Sequence, residues 1–209
     1  MAIKYLASKR IIGLSTDRES EGVYATWGTT PEHWDNSNLS HSAYGWAAGR
    51  KVQSAEAGNN TTKISFYLKT VSSSSPYNTR VVIYNSSGSV RATSSTVAAS
   101  TINTTGEWVE YSGFDLTLNT GDYTMMEVFG STSTNGVQVG RRNDASGEYG
   151  WYSQNGYTNF ASYGSTTDVL YKYEGVSSSL TNLQTNTVFS ESDTGKDYLW
   201  NGTAWVQVA

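Results

Sequence analysis

Apolar and polar positions alternate with a period of two along much of the chain, and no stripe of period 3.6 interrupts them for a useful length. The clearest run is residues 63–69. Ile64, Phe66 and Leu68 fall on one face of a strand, and Lys63, Ser65 and Lys69 on the other. Residues 80–84 predict a second strand, which turns at 85–89 and returns through 90–92 as a hairpin with a longer loop. A polar stretch of Ser, Thr and Ala follows at 93–105. Gly106 to Tyr111 then opens a strand that runs toward Leu118. Residues 119–122 predict a turn, and 123–129 a strand with Thr124, Met126 and Val128 on one face. Residues 137–139 and 168–173 read as later strands. Strands spaced by roughly 8–12 residues, with turn signals between them, predict an all-β protein built as an antiparallel sandwich or barrel.

Residues 1–20 are more basic and aliphatic than the rest of the chain and read as an N-terminal extension or anchor. Residues 21–175 carry the alternating pattern of the sandwich. A Gly-Val-Ser-Ser-Ser run at 175–179 begins a linker, placed at 176–185. Residues 186–209 read as a small appended hairpin. Asn201-Gly202, the preferred pair of a two-residue type I′ turn, separates Tyr198-Leu199-Trp200 from Thr203-Ala204-Trp205-Val206. Trp200 and Trp205 flank this turn and either cover each other or dock on a neighbour.

Composition narrows the function classes. The 209 residues include no cysteine, which excludes disulfides, thiol nucleophiles and thiolate metal sites. A net charge of -4 offers no excess to neutralise phosphates, so nucleic acid is not an expected partner. No apolar run of ~18 residues is present, so membrane insertion is not expected either, and the first twenty residues lack the apolar core of a secretory signal. Charged residues make up only 15% of the chain, and Ser, Thr and Asn supply the polarity instead. Aromatic residues reach 13%, led by 15 Tyr, which argues for a packed fold over disorder.

Residues from about 45 to 175, through KISFYLKT, TRVVIYNSSGSVRATS, TGEWVEYSGFDLTLNTGDYTMMEVF and VLYKYEG, resemble the jelly-roll domains of carbohydrate-binding and viral surface proteins. The resemblance implies a jelly-roll β-sandwich. The two ends, KYLASKRIIGLSTDR and NTVFSESDTGKDYLWNGTAWVQV, resemble segments of tail and other structural proteins of tailed phages and environmental viruses. That resemblance implies a virion component, assembled in the host cytoplasm and displayed on the virion surface as a capsid decoration or tail protein. Its partners would be other virion proteins and further copies of itself, with a trimer as the expected homo-oligomer. It carries no catalytic residue onto this chain.

Few residues point to chemistry. His33 and His41 fit no zinc signature, and no Ser sits in a G-x-S-x-G elbow. Glycoside hydrolysis needs two converging carboxylates. Glu107 and Glu110 have odd spacing on one strand and point to opposite faces, while Glu127 lies on another strand. Asp115 and Asp122 read as turn or strand-end residues. Asn143, Asp144 and Glu148 gather hard oxygen donors in one short loop and are the candidate ligands of a structural Ca²⁺, against a plain polar turn. The aromatic and amide-rich stretch 148–163 has the composition of a recognition loop. Tyr149, Trp151, Tyr152, Asn155 and Tyr157 are its candidate glycan-binding residues, with Arg141 and Arg142 placed to pair an acidic sugar. The competing reading has Trp151, Tyr157 and Phe160 filling the core or a subunit interface. The same holds for Trp27, Trp34 and Trp46. The leading expectation is a non-enzymatic virion structural protein. The alternatives are a carbohydrate-binding host-attachment protein that recognises a cell-surface glycan, and a polysaccharide hydrolase or lyase.

Overall fold

The computed structural model describes residues 10–13, 20–34, 46–71, 77–130, 136–143, 150–153, 160–162, 167–177, 185–201 and 205–208. In chain order the strands are β1 (Arg10–Gly13), β2 (Ser20–Trp27), β3 (His33–Trp34), β4 (Trp46–Lys51), β5 (Asn60–Thr70), β6 (Asn78–Tyr84), β7 (Val90–Thr93), β8 (Val97–Ala98) and β9 (Glu107–Thr117). They continue as β10 (Tyr123–Phe129), β11 (Val137–Asn143), β12 (Gly150–Ser153), β13 (Ala161–Ser162), β14 (Thr167–Val169), β15 (Tyr171–Ser177), β16 (Val188–Glu191), β17 (Asp197–Trp200) and β18 (Trp205–Gln207). A 3-10 turn at Ala99–Thr101 interrupts them, and no α-helix occurs among the described residues.

The chain divides into two units, residues 23–175 and a second formed by residues 1–22 together with 176–209. The larger unit is an all-β sandwich. Its front sheet has the order β13-β12-β4-β10-β6-β7, with β8 also on β6. Its back sheet has the order β14-β11-β5-β15-β2, with β9 on β5 and β3 on β11. The alternation read from the sequence sets which residues meet between them. Ile64, Phe66 and Leu68 of β5, Tyr111 of β9 and Val139 of β11 face Ala48 of β4, Ile83 of β6 and Met126 and Val128 of β10 in one buried core. Tyr111 and Phe114 both face inward although they are three residues apart. Gly113, with φ +94, and a register shift between Thr61 and Lys63 mark the bulge that makes this possible.

Strand β4 carries little alternation, because Ala47 and Ala48 are buried on opposite faces. A side chain at Gly49 would strike the backbone of Thr124 and Met125 on the neighbouring strand, so the close approach of β4 and β10 requires glycine. Beyond it, Arg50 enters the core between the sheets. Its guanidinium pairs with Glu56 and with Asp168 of β14, and lies 4.4 Å from the Tyr171 ring centroid. The Tyr171 hydroxyl donates to Glu56 at 2.6 Å, and Tyr173 shares a 2.6 Å hydrogen bond with Thr124 of β10. A polar clamp thus joins the front sheet to the back sheet through the middle of an apolar core.

The smaller unit is a single sheet. The N-terminal extension and the C-terminal hairpin, read as separate appendages, form one four-stranded sheet of order β1-β16-β17-β18. Strand β1 pairs in parallel with β16, from Arg10 opposite Val188 to Gly13 opposite Glu191. Without β1, the backbone groups on that edge of β16 would lack partners. Phe189 is fully buried, 5.8 Å between centroids from Trp205. The hairpin itself is present, but Trp200 pairs with Trp205, so four residues and not two connect its strands. The two rings cover each other, 5.4 Å apart.

Candidate functional site

The outer face of the front sheet holds a second apolar cluster, set by strand register. Lys51, Tyr123 and Tyr84 form one cross-strand row, and Ala47, Glu127 and Arg80 another. Between them Trp151, Gly49, Met125 and Val82 line up. Trp151 lies in register opposite Gly49. The Trp151 ring meets Tyr123 edge-on at 5.2 Å, with the Lys51 ammonium 5.3 Å from its centroid. Phe160 stacks on Tyr123 at 4.7 Å and touches Tyr84 at 5.1 Å. Trp151 and Phe160 are half-buried and pack onto buried Ala47, Val82, Tyr84 and Met125.

One carboxylate sits within this face. Glu127 is fully buried, accepting from Arg80 Nε at 2.9 Å and from the Tyr84 hydroxyl. Burial pushes its carboxyl above the ordinary range, while Tyr84 and Arg80 pull it back. Both oxygens are engaged, so the group serves as a fixed acceptor under the aromatic cluster. In the clamp between the sheets, burial likewise raises Asp168 to about 6 against the pull of Arg50 and the Val169 amide. Burial works against the charge of Arg50, but Glu56 and Asp168 outweigh it and hold the guanidinium above its ordinary value. Desolvation raises the Tyr171 and Tyr173 hydroxyls.

Among the sequence candidates, Trp151 and Tyr152 are adjacent on β12 and therefore face opposite sides of the front sheet. Arg141 and Arg142 lie on β11 of the back sheet, so the structure does not bring them onto the sheet of Trp151. Arg142 pairs with Glu32 at 2.9 Å, and Arg141 Nη2 donates to the Trp34 carbonyl at 3.5 Å. Asn143 donates its backbone N–H to Glu32 at 3.2 Å and shares a contact of 3.2 Å with His33. Tyr149, Asn155, Tyr157, Asp144, Glu148 and His41 lie outside the described residues. Among the described residues, no group of three His, Asp or Glu side chains is arranged to hold a metal ion.

The acids weighed for catalysis are spread over the molecule. Glu107 and Glu110 are on β9 of the back sheet, Glu110 beside Lys63 at 3.5 Å, while Glu127 is on β10 of the front sheet. Asp115 accepts from Asn60 at 2.9 Å. Asp122, read as a turn residue, accepts the Asn119 amide at 2.8 Å but is buried and paired with Arg91. The sequence reading missed Lys51, Tyr84, Arg80 and Tyr123 as members of the front face. Their shared parity with Met125 and Val82 is the signal that marks them. Comparison with protein-family models, with curated proteins and with solved structures returns no match.

Proposed function

We propose that the protein is a non-enzymatic structural component of a virus particle, with its sandwich displayed on the virion surface. The observation that carries this reading is the pairing of β1 with β16. The two segments that resemble phage and environmental-virus structural proteins are the ones that join into a single sheet, a fitting arrangement for an attachment module. The larger unit then supplies the displayed domain. From β4 to β12 its chain crosses repeatedly between the sheets: β4 in front, β5 behind, β6 to β8 in front, β9 behind, β10 in front, β11 behind, β12 in front. Wrapping of this kind is what a jelly roll produces and supports that assignment. Separation of Glu110 from Glu127 on different sheets supports a contact role over hydrolase or lyase chemistry. The expected assembly is a symmetric homo-oligomer, a trimer. Native mass spectrometry of the purified chain and imaging of intact particles test the proposal. A symmetric assembly located on the particle supports it. A monomer missing from purified particles overturns it.

A second reading, host attachment through a glycan, is favoured by the half-buried Trp151 ring beside Lys51 on the front face. Its test is Trp151→Ala. Lost glycan retention at an unchanged melting temperature supports attachment. A lowered melting temperature with no effect on glycan assigns the ring to packing.

A further inference from the structure

The outer face of the back sheet carries three rings that the core does not use. Trp34 on β3, Tyr67 on β5 and Trp108 on β9 come from distant parts of the sequence and form a continuous row. Ring centroids are 5.9 Å apart between Trp34 and Tyr67, tilted by 41°, and 5.4 Å apart between Tyr67 and Trp108, at 88°. All three are half-buried. The inward positions of β5 are filled by Ile64, Phe66 and Leu68, and its outward neighbours of Tyr67 are Ser65 and Lys69. A solvated sheet face is expected to be polar, so an aromatic row there calls for a reason.

A lysine stands at each end of the row. Lys69 Nζ lies 4.3 Å from the Trp34 ring centroid, and Lys172 Nζ lies 4.1 Å from that of Trp108. Neither is ion-paired with a described residue, whereas Lys63 on the same face pairs with Glu110 at 3.5 Å. A cation held over an indole keeps a fixed position while its outward donors remain available to an anion. The row is also held from beneath. The Tyr67 hydroxyl donates to the Gly106 carbonyl at 3.2 Å, and a side chain at Gly106 would press into both Trp34 and Tyr67. Rings fixed in this way lose little freedom when a ligand arrives.

We propose that Trp34, Tyr67, Trp108, Lys69 and Lys172 form a binding site for an acidic polysaccharide, one carrying a carboxylate on its sugar units. The C–H faces of the sugars lie along the rings and the carboxylates pair with the two lysines. Charge selects this class. In a chain of net charge -4, two separated lysines suit single carboxylates spaced along a sugar polymer. The denser phosphates of a nucleic acid require more cations. The site is independent of the virion reading and of the front face.

The test uses the full chain in affinity electrophoresis through alginate, a polymer of uronic acids, beside neutral dextran and a thymidine oligonucleotide. Retention by alginate that weakens with salt, together with a change in tryptophan fluorescence, is expected. Lys69→Gln with Lys172→Gln keeps both side chains polar and removes both charges. It should weaken retention by about tenfold or more at an unchanged melting temperature. No retention by alginate, equal retention of the double variant, equal retention by dextran, or tighter binding of the oligonucleotide would each overturn the proposal.

Discussion

Two sets of charges in the sandwich are built alike and used differently. In the core, Arg50, Glu56 and Asp168 have side-chain exposures of 7%, 8% and 1% and are bound to one another and to Tyr171. On the back face, Lys63 and Glu110 are 35% and 51% exposed and meet at 3.5 Å. Water screens the outer pair and competes for it, so it contributes little. The inner set has lost its water and depends on its partners for every hydrogen bond. The contrast teaches that charge holds the sheets together only where solvent has been excluded. Elsewhere on the surface charge is available for recognition.

The largest effect should come from breaking the inner set by one member. Arg50→Met leaves Glu56 and Asp168 buried without a counter-charge and should cost the sandwich about 3–5 kcal/mol, read by urea unfolding. Combining it with Glu56→Gln and Asp168→Asn should restore much of the loss. A triple variant no better than Arg50→Met would show that shape and not charge accounts for the clamp. Next in size is the response to acid. Asp168 takes up its proton near pH 6 in the fold and near pH 4 in an unfolded chain. The folded state binds more protons between those values, so this contribution is full below about pH 4 and declines as the pH rises toward 6. The span is on the order of 3 kcal/mol. Melting curves across that range should show the native chain losing ground to Asp168→Asn as the pH rises. Parallel curves would remove the raised carboxyl from the account.

Smaller effects sharpen the same contrast. The Trp27 Nε1 is buried with no hydrogen-bond partner among the described residues. Trp27→Phe removes that donor, which offsets the lost ring area, and should change stability by less than about 1 kcal/mol. A large loss would reveal a partner for the indole. At the outer pair, Glu110→Gln should shift unfolding by no more than about 1 kcal/mol, and less at high salt.

Strands β5 and β9 were legible because each has one face in the core and one largely outside it, which writes period two into the sequence, while β6 and β10, buried on both faces, were legible from runs of large apolar and β-branched residues between turn signals. Strand β4 was not, since its Ala-Ala-Gly run is buried on both faces and leaves no alternation to read. The clamp was hidden for another reason. Arg50 and Glu56 sit in a stretch that reads as solvated, and their partner Asp168 is supplied from the far end of the domain. The aromatic residues were visible but wrongly grouped. Trp27 and Trp34 are near in sequence, yet Trp27 packs against the core and Trp34 joins the outer row. Of the recognition-loop candidates, Trp151 lies on the front face and Arg141 and Arg142 on the other sheet, because pairing to β4 or to β11's neighbours decides placement, and chain proximity does not.

The parallel pairing of β1 with β16 imposes an order on biosynthesis. Strand β1 leaves the ribosome ahead of the sandwich, and its partner emerges only after the entire sandwich has been made. The sandwich can therefore collapse while the terminal sheet is still impossible. A polypeptide whose translation stops before residue 188 can own a finished domain yet lacks the means to close its own ends. If that sheet is the point of attachment, prematurely terminated products are barred from incorporation without any separate inspection step.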